Sequence, residues 1–215
     1  KKRRMSTSNP IKIVFDVYHL YHLPQFGPII DLLKYDENFT IFVSTSCRTT
    51  PEEKEITEKI LSQTGLQVIS EIDETKRANS IQGLDPDVFI CGWSRYDIDH
   101  FVTNRTLVGM IYHGIGVKPS YWRDNHERLD LRFVEGPYRM EQLRSHGIET
   151  DLALTGFIIL DPLFSGSEIN NESIKRELGL DKKKKLSFLP RPFIPVPLNN
   201  SDYSSESIQR IIMSY

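Results

Sequence analysis

The sequence predicts an α/β fold, a Rossmann-like parallel sheet flanked by helices. Three observations carry that expectation. Strand-like runs alternate with helix-like segments along residues 10–165, the mark of repeated strand–helix–strand units. Several of the strand runs are apolar throughout rather than alternating, as strands covered on both faces are. Glycines and a histidine follow directly on one of those runs, where open parallel sheets place their ligands.

The first strand is Ile11 to Val17, β-branched, mostly apolar and preceded by Pro10. Tyr18 to Pro24 is the loop that leaves it. A helix beginning after Pro24 would bury Ile29, Ile30, Leu32 and Leu33. Phe39 to Val43 is the second strand. Pro51 opens a charged amphipathic helix with Ile56, Ile60 and Leu61 at helical spacing. Short apolar runs at Leu66–Ile69, Asp87–Cys91 and Leu107–Tyr112 supply three further strands. Leu131 to Val134 follows, then a helix from Pro137 to Ser145 and a last strand near Leu152. The dinucleotide fingerprint G-x-G-x-x-G is missing from the first turn, which argues against a conventional NAD enzyme.

Composition narrows the function further. The 215 residues are 39% hydrophobic and 26% charged, with a net charge of −2, which gives no argument for nucleic acid or an anionic membrane across the whole surface. No apolar run is long enough to span a bilayer, and no signal-peptide pattern is visible. Residues 1–9 read as a disordered basic lead, with Met5 as the natural start. Cys47 and Cys91 read as two small buried hydrophobes in a reducing, cytoplasmic setting. Beyond residue 165 the pattern changes. Residues 166–185 read as an interdomain helix and linker. In residues 186–215 Pro190, Pro192, Pro195 and Pro197 deny the backbone its donors, and the segment reads as an aberrant, poorly packed tail.

The candidate chemistry centres on Ile111-Tyr112-His113-Gly114-Ile115-Gly116-Val117-Lys118. An apolar strand runs into a titratable group, two glycines and a lysine. Histidine titrates near neutral pH and can take a proton as a general base; its structural alternative is a loop histidine bonded to backbone. Gly114 and Gly116 would let main-chain N–H groups approach an anion such as phosphate, or would serve only to make a turn. Lys118 would add the matching cation, or be a surface lysine. His19 and His22 flank the exit of the first strand and face the same crevice, as substrate-binding groups or as parts of an aromatic-rich loop. They lack a third ligand at suitable spacing, so neither a metal nor a cofactor is expected. Glu135 ends a strand on the cleft side and is a further ligand-binding candidate. Asp161 precedes Pro162 and reads as a turn former. His100, His126 and His146 sit among charged residues and read as solvated. Tyr121, Trp122 and Arg123 form either a ligand platform or a packed loop.

Three blocks together resemble the CDP-glycerol glycerophosphotransferase family, the teichoic-acid-type polymerases and primases. They are Asp16-Val-Tyr-His-Leu-Tyr-His-Leu-Pro24, His113-Gly-Ile-Gly-Val-Lys118, and Glu135-Gly136 through Gly156-Phe-Ile-Ile-Leu-Asp161-Pro162-Leu-Phe164. The resemblance implies the N-terminal, acceptor-side half of a GT-B architecture, with residues 10–165 as that domain. It implies a CDP-glycerol or related CDP-polyol donor and a glycan or polyol-phosphate acceptor, lipid-linked in some members, at the inner face of the cell membrane. His113 would be the catalytic base. The family continues into a second domain that nothing in this sequence matches. The tail then reads as a frameshift at the Lys182–Lys185 run, since permitted codons for Leu186 to Leu198, read one base earlier, spell a strand and loop of the kind that opens such a domain. A chain truncated in this way is expected to be inactive. The rival readings are another GT-B enzyme, a glycosyltransferase or a UDP-GlcNAc 2-epimerase-like protein, and a non-catalytic acceptor-binding remnant.

Overall fold

The computed structural model describes residues 9–92, 97–115, 119–123 and 127–164. They fall in the first of two units of the chain, Lys1–Ser167; the second, Glu168–Tyr215, lies outside the described residues. So do Gly116, Lys118 and His126, nearly all of the expected basic lead, and the expected linker and tail.

Seven parallel strands form one sheet: β1 (Ile11–Val17), β2 (Phe39–Thr45), β3 (Gln67–Ser70), β4 (Val88–Cys91), β5 (Leu107–Ile111), β6 (Leu131–Val134) and β7 (Asp151–Leu154). Their spatial order is β3-β2-β1-β4-β5-β6-β7. The chain winds outward from β1 to β3, crosses back to β4 beside β1, and winds outward the other way. The helices are α1 (Leu23–Leu33), α2 (Pro51–Ser62), α3 (Glu74–Leu84), α4 (Ser120–Arg123), α5 (Pro137–Ser145) and α6 (Asp161–Phe164). The doubly wound sheet read from the sequence is therefore the fold.

Strand alternation splits the core in two. On one face Val14, Phe89, Val108, Met110 and Val134 pack with Ala78 and Ile81 of α3 and Leu143 of α5. On the other, Ile13, Phe15, Val17, Ile41 and Val43 pack with Leu23, Phe26 and Ile30 of α1 and Leu61 of α2. Central β1 pairs with both β2 and β4, so its residues Val14 to Val17 are buried on both faces, as its apolar sequence requires.

Where the sequence reading differs, phase is the cause. The inward stripe of α1 is Leu23, Phe26 and Ile30, which leaves Leu32 79% exposed. In α2, Thr57 and Leu61 face inward while Ile56 and Ile60 face solvent. α3 was not anticipated. It is capped by Asp73, whose carboxylate accepts the Lys76 N–H at 2.7 Å, and its inward residues are Arg77, Ala78 and Ile81. Cys91 is buried, whereas Cys47 is partly exposed and bonds to Glu74; both are free thiols. Tyr121 is buried in α4, the packed-loop alternative rather than an open platform. His100 and His146 are exposed, as expected.

Candidate active-site crevice

After β1 the chain packs α1 on one face of the sheet, and after β4 Ile98 and Phe101 pack on the other; the gap at the carboxyl ends of these two strands is where such folds bind ligands. Residues following β1, β4 and β5 meet there.

A 3-10 turn, Leu20–His22, carries the chain from β1 into α1. Glu53 of α2 holds it: its Oε1 accepts the Leu20 N–H at 2.5 Å and lies 3.4 Å from His19 Nδ1. His22, at the end of the turn, is fully buried. Its Nδ1 accepts the His19 N–H at 3.3 Å, so the neutral ring carries its proton on Nε2. That Nε2 has no hydrogen-bond partner among the described residues. Burial above all, then repulsion from His113 and His19, holds the His22 pKa well below its ordinary value, so the ring is neutral at neutral pH.

His113 follows β5. Its Nδ1 lies 3.0 Å from the carbonyl oxygen of Gly92, the residue after β4. A carbonyl only accepts, so Nδ1 carries the hydrogen and the neutral ring has its lone pair on Nε2. The His113 and His22 ring centroids are 5.7 Å apart, and His19 lies 6.1 Å beyond His22. Tyr21 packs on all three rings, at 5.0 Å from His19, 4.6 Å from His22 and 5.1 Å from His113. Tyr121 closes the other side of His113 at 5.7 Å.

Gly92 braces both histidines. Its carbonyl orients His113, and its missing side chain makes room for His22: a Cβ there would lie 2.6 Å from His22 Cδ2 and 2.8 Å from Nε2. Gly114 is likewise close to Tyr121, whose hydroxyl would be 3.0 Å from an added Cβ.

A second group borders the crevice at the end of β6. Glu135 Oε1 accepts from Arg139 Nε at 2.9 Å, while its Oε2 is buried without a hydrogen-bond partner among the described residues. The Arg139 guanidinium lies 5.0 Å over the Tyr121 ring, which links Glu135 to His113 through two intervening side chains. Behind it, Arg132 donates to the Tyr112 hydroxyl at 3.0 Å, and burial raises the Tyr112 pKa.

The third group, at the ends of β1 and β2, is an ion network. Arg77 of α3 is fully buried against Asp16, donates to Ser44 Oγ at 2.9 Å, and reaches Glu74 Oε2 at 2.5 Å. Glu74 Oε1 in turn accepts from Ser46 Oγ at 2.8 Å and the Cys47 N–H at 2.9 Å. The same network raises the Arg77 pKa against burial, which alone would lower it.

Of the residues singled out in the sequence, His19, His22 and His113 come together, Gly114 adjoins them, and Glu135 reaches them through Arg139 and Tyr121. Gly92 and Tyr21 were missed. A lone glycine after an apolar strand and one tyrosine in an aromatic loop carry no signal until the rings they touch are known. Among the described residues no group of three or more His, Cys, Asp or Glu side chains is placed to hold a metal ion. No described helix is long and apolar enough to cross a membrane.

No protein-family model and no curated protein matches the chain. Solved structures do. UDP-GlcNAc 2-epimerase from Neisseria meningitidis, bound to UDP-GlcNAc, is similar over 79% of this chain and 52% of its own, at 16% identity and a TM-score of 0.53. A Listeria monocytogenes protein assigned as a UDP-N-acetylglucosamine 2-epimerase matches over 74% of this chain and 48% of its own, at 14% identity and a TM-score of 0.49. The chain thus spans about half the length of these structures. At such identity the likeness establishes the fold.

These findings correct the family expectation. The Neisseria neighbour is a UDP-GlcNAc 2-epimerase, not a CDP-glycerol glycerophosphotransferase, and it holds a UDP-sugar rather than a CDP-polyol. The CDP-polyol donor and its polyol-phosphate or glycan acceptor are withdrawn with it. The physical reason lies in where the three blocks sit. They follow β1, β5 and β6–β7, the carboxyl-end positions where any enzyme on this sheet gathers glycine, histidine and acidic residues. They report the architecture and leave the substrate open.

Proposed function

We propose that residues 10–165 form the first domain of a two-domain enzyme of GT-B type acting on a UDP-linked sugar, with 2-epimerase-like chemistry and His113 as the group that moves a proton. The observation that carries this reading is the bracing of His113. Gly92 takes the proton-bearing Nδ1, which fixes the tautomer with its basic lone pair on Nε2. An imidazole so held presents that lone pair to a ligand as a general base would.

Epimerisation removes a proton from one face of a sugar carbon and returns one to the other, so it needs two titratable groups. Glu135 is the second, with one oxygen fixed by Arg139 and the other buried without a partner among the described residues. The UDP-GlcNAc held by the Neisseria neighbour supports a UDP-sugar as substrate.

The test is ligand titration of the chain followed by the imidazole proton resonances. UDP-GlcNAc at millimolar concentration is expected to shift the His113 Hε1 signal, which the His113→Ala variant identifies, whereas CDP-glycerol leaves it in place. Incubation in D2O then asks whether the sugar exchanges a carbon-bound proton. A shift with CDP-glycerol alone, or with neither nucleotide, overturns the reading.

A further inference from the structure

Away from the histidines, the carboxyl edge of the sheet holds a cavity of about 470 Å3 that the proposed chemistry does not use. It lies among the loops after β1 and β2, one face of α3 and the 3-10 turn Ile98–His100 that follows β4. Its size falls in the range of small-molecule sites, roughly 300–1,000 Å3. Three features fix the chemistry of an occupant.

The first is the floor. Ala78 and Phe101 line the cavity at 7% and 5% exposure, and Phe101 is clamped from behind by Phe89 at 6.3 Å and by the Arg77 guanidinium at 4.5 Å. The result is a rigid, narrowly exposed apolar floor against which the C–H groups of a small ligand can pack.

The second feature is the rim. Thr75 and Asn79 stand one helical turn apart on α3 and line the cavity. Neither side chain has a hydrogen-bond partner among the described residues. An amide offers both donors and acceptors, and so does a hydroxyl. A ligand whose edge is a row of hydroxyls, each donor and acceptor at once, matches that rim.

Charge is the third. Arg48 is set against two carboxylates, Glu74 and Asp97, and Glu74 is already bonded to Arg77. His100 also lines the cavity, 3.5 Å from Asp97, so the described lining shows no excess of positive charge that would favour a phosphate over a neutral ligand.

We infer that this cavity is a subsite for a neutral, hydroxyl-rich sugar ring rather than for a phosphate. The inference rests on the reading above only for the identity of the sugar, N-acetylglucosamine.

Free N-acetylglucosamine, UMP and inorganic phosphate are titrated separately into the full chain, with the Ala78 methyl and Phe101 ring resonances as reporters. The sugar is expected to move both signals. Asn79→Leu is expected to weaken its binding about fivefold, the worth of one lost hydrogen bond. Thr75→Trp, which fills the cavity from its exposed rim, is expected to abolish binding while circular dichroism stays native. Movement of these signals by UMP or phosphate but not by the sugar overturns the inference, and so does silence from all three ligands. Binding of the sugar that is indifferent to both variants overturns it as well. The His113 signal separates the two ideas: UDP-GlcNAc shifting His113 while the sugar leaves Ala78 and Phe101 unmoved sinks the subsite alone. The reverse result sinks the His113 reading alone.

Discussion

Two buried polar groups lie along the same edge of the sheet, and they are built oppositely. At the ends of β1 and β2, Asp16, Arg77 and Glu74 are charged, mutually paired and further bonded to Ser44, Ser46 and the Cys47 amide. Across β1, His22 is neutral, His22 and His113 are each held through Nδ1 by a backbone group, and His22 Nε2 has no hydrogen-bond partner among the described residues. The first group has spent its polar capacity on joining α3 to the sheet. The second has kept some in reserve at a cost in stability, which is the usual condition of a site that waits for a ligand.

The contrast breaks most sharply at Arg77. Replacing it with Leu leaves Asp16 buried without its cation, and the loss expected is about 3–5 kcal/mol, read as a drop in urea midpoint. A loss below about 1 kcal/mol would mean that the network does not secure α3. Next is Gly92→Ala. The new Cβ would lie 2.6 Å from the His22 ring, and overpacking of that kind costs about 1–3 kcal/mol. It is also expected to break the His113–Gly92 bond, which 15N chemical shifts of the imidazole report as a change of tautomer. An unchanged tautomer would remove Gly92 from its bracing role.

A pH series separates the two groups without mutation. The His22 pKa is lowered in the folded chain, so below the unfolded value of about 6.5 the unfolded state binds a proton that the folded state refuses. Stability should therefore fall as pH drops below 6.5 toward the folded pKa, by about 1.4 kcal/mol for each unit of lowering. Glu74, whose pKa is lowered by Arg77 against the opposing effect of burial, loses its contribution only below about 4.5. His22→Gln should flatten the curve between pH 6.5 and 5 and leave the acid limb alone. A wild-type curve already flat there would show that His22 is not buried neutral. The smallest effect belongs to His113→Ala. Its ring is half-buried, and its loss should move stability by about 0.5 kcal/mol or less, while the nucleotide response disappears.

The sequence was most legible where apolar residues carried the structure. β1 matches its predicted span, and the parallel sheet follows from strands that read as apolar throughout. It failed where a polar residue did the anchoring. α3 presents an arginine to the core, and hydrophobic periodicity cannot register an inward charge whose partner lies on a distant strand. Leu32 shows the converse error, an apolar residue assigned to the buried face one step out of phase. At the site, the three histidines were readable as strand-end residues. That they share a crevice was readable too; the close packing of their rings was not, because it depends on Gly92, a residue with no side chain to notice. The family resemblance failed for a related reason: loop motifs at strand ends are shared by every chemistry the architecture supports.

The strand order has a consequence for how the chain comes into being. Of the seven described strands the earliest made is the central one, and it meets its second neighbour only after a long stretch of further synthesis: Lys12 and Asp87, which bond where β1 and β4 begin, are 75 residues apart. Until β4 arrives, His22 has no Gly92 to cover it and stays hydrated and free to protonate. Closure of the sheet must then strip that proton away. Assembly of this domain is thus tied to the acidity of its surroundings at a late step, and refolding from acid should slow as the pH of the refolding buffer drops, while unfolding from the native state shows no matching dependence.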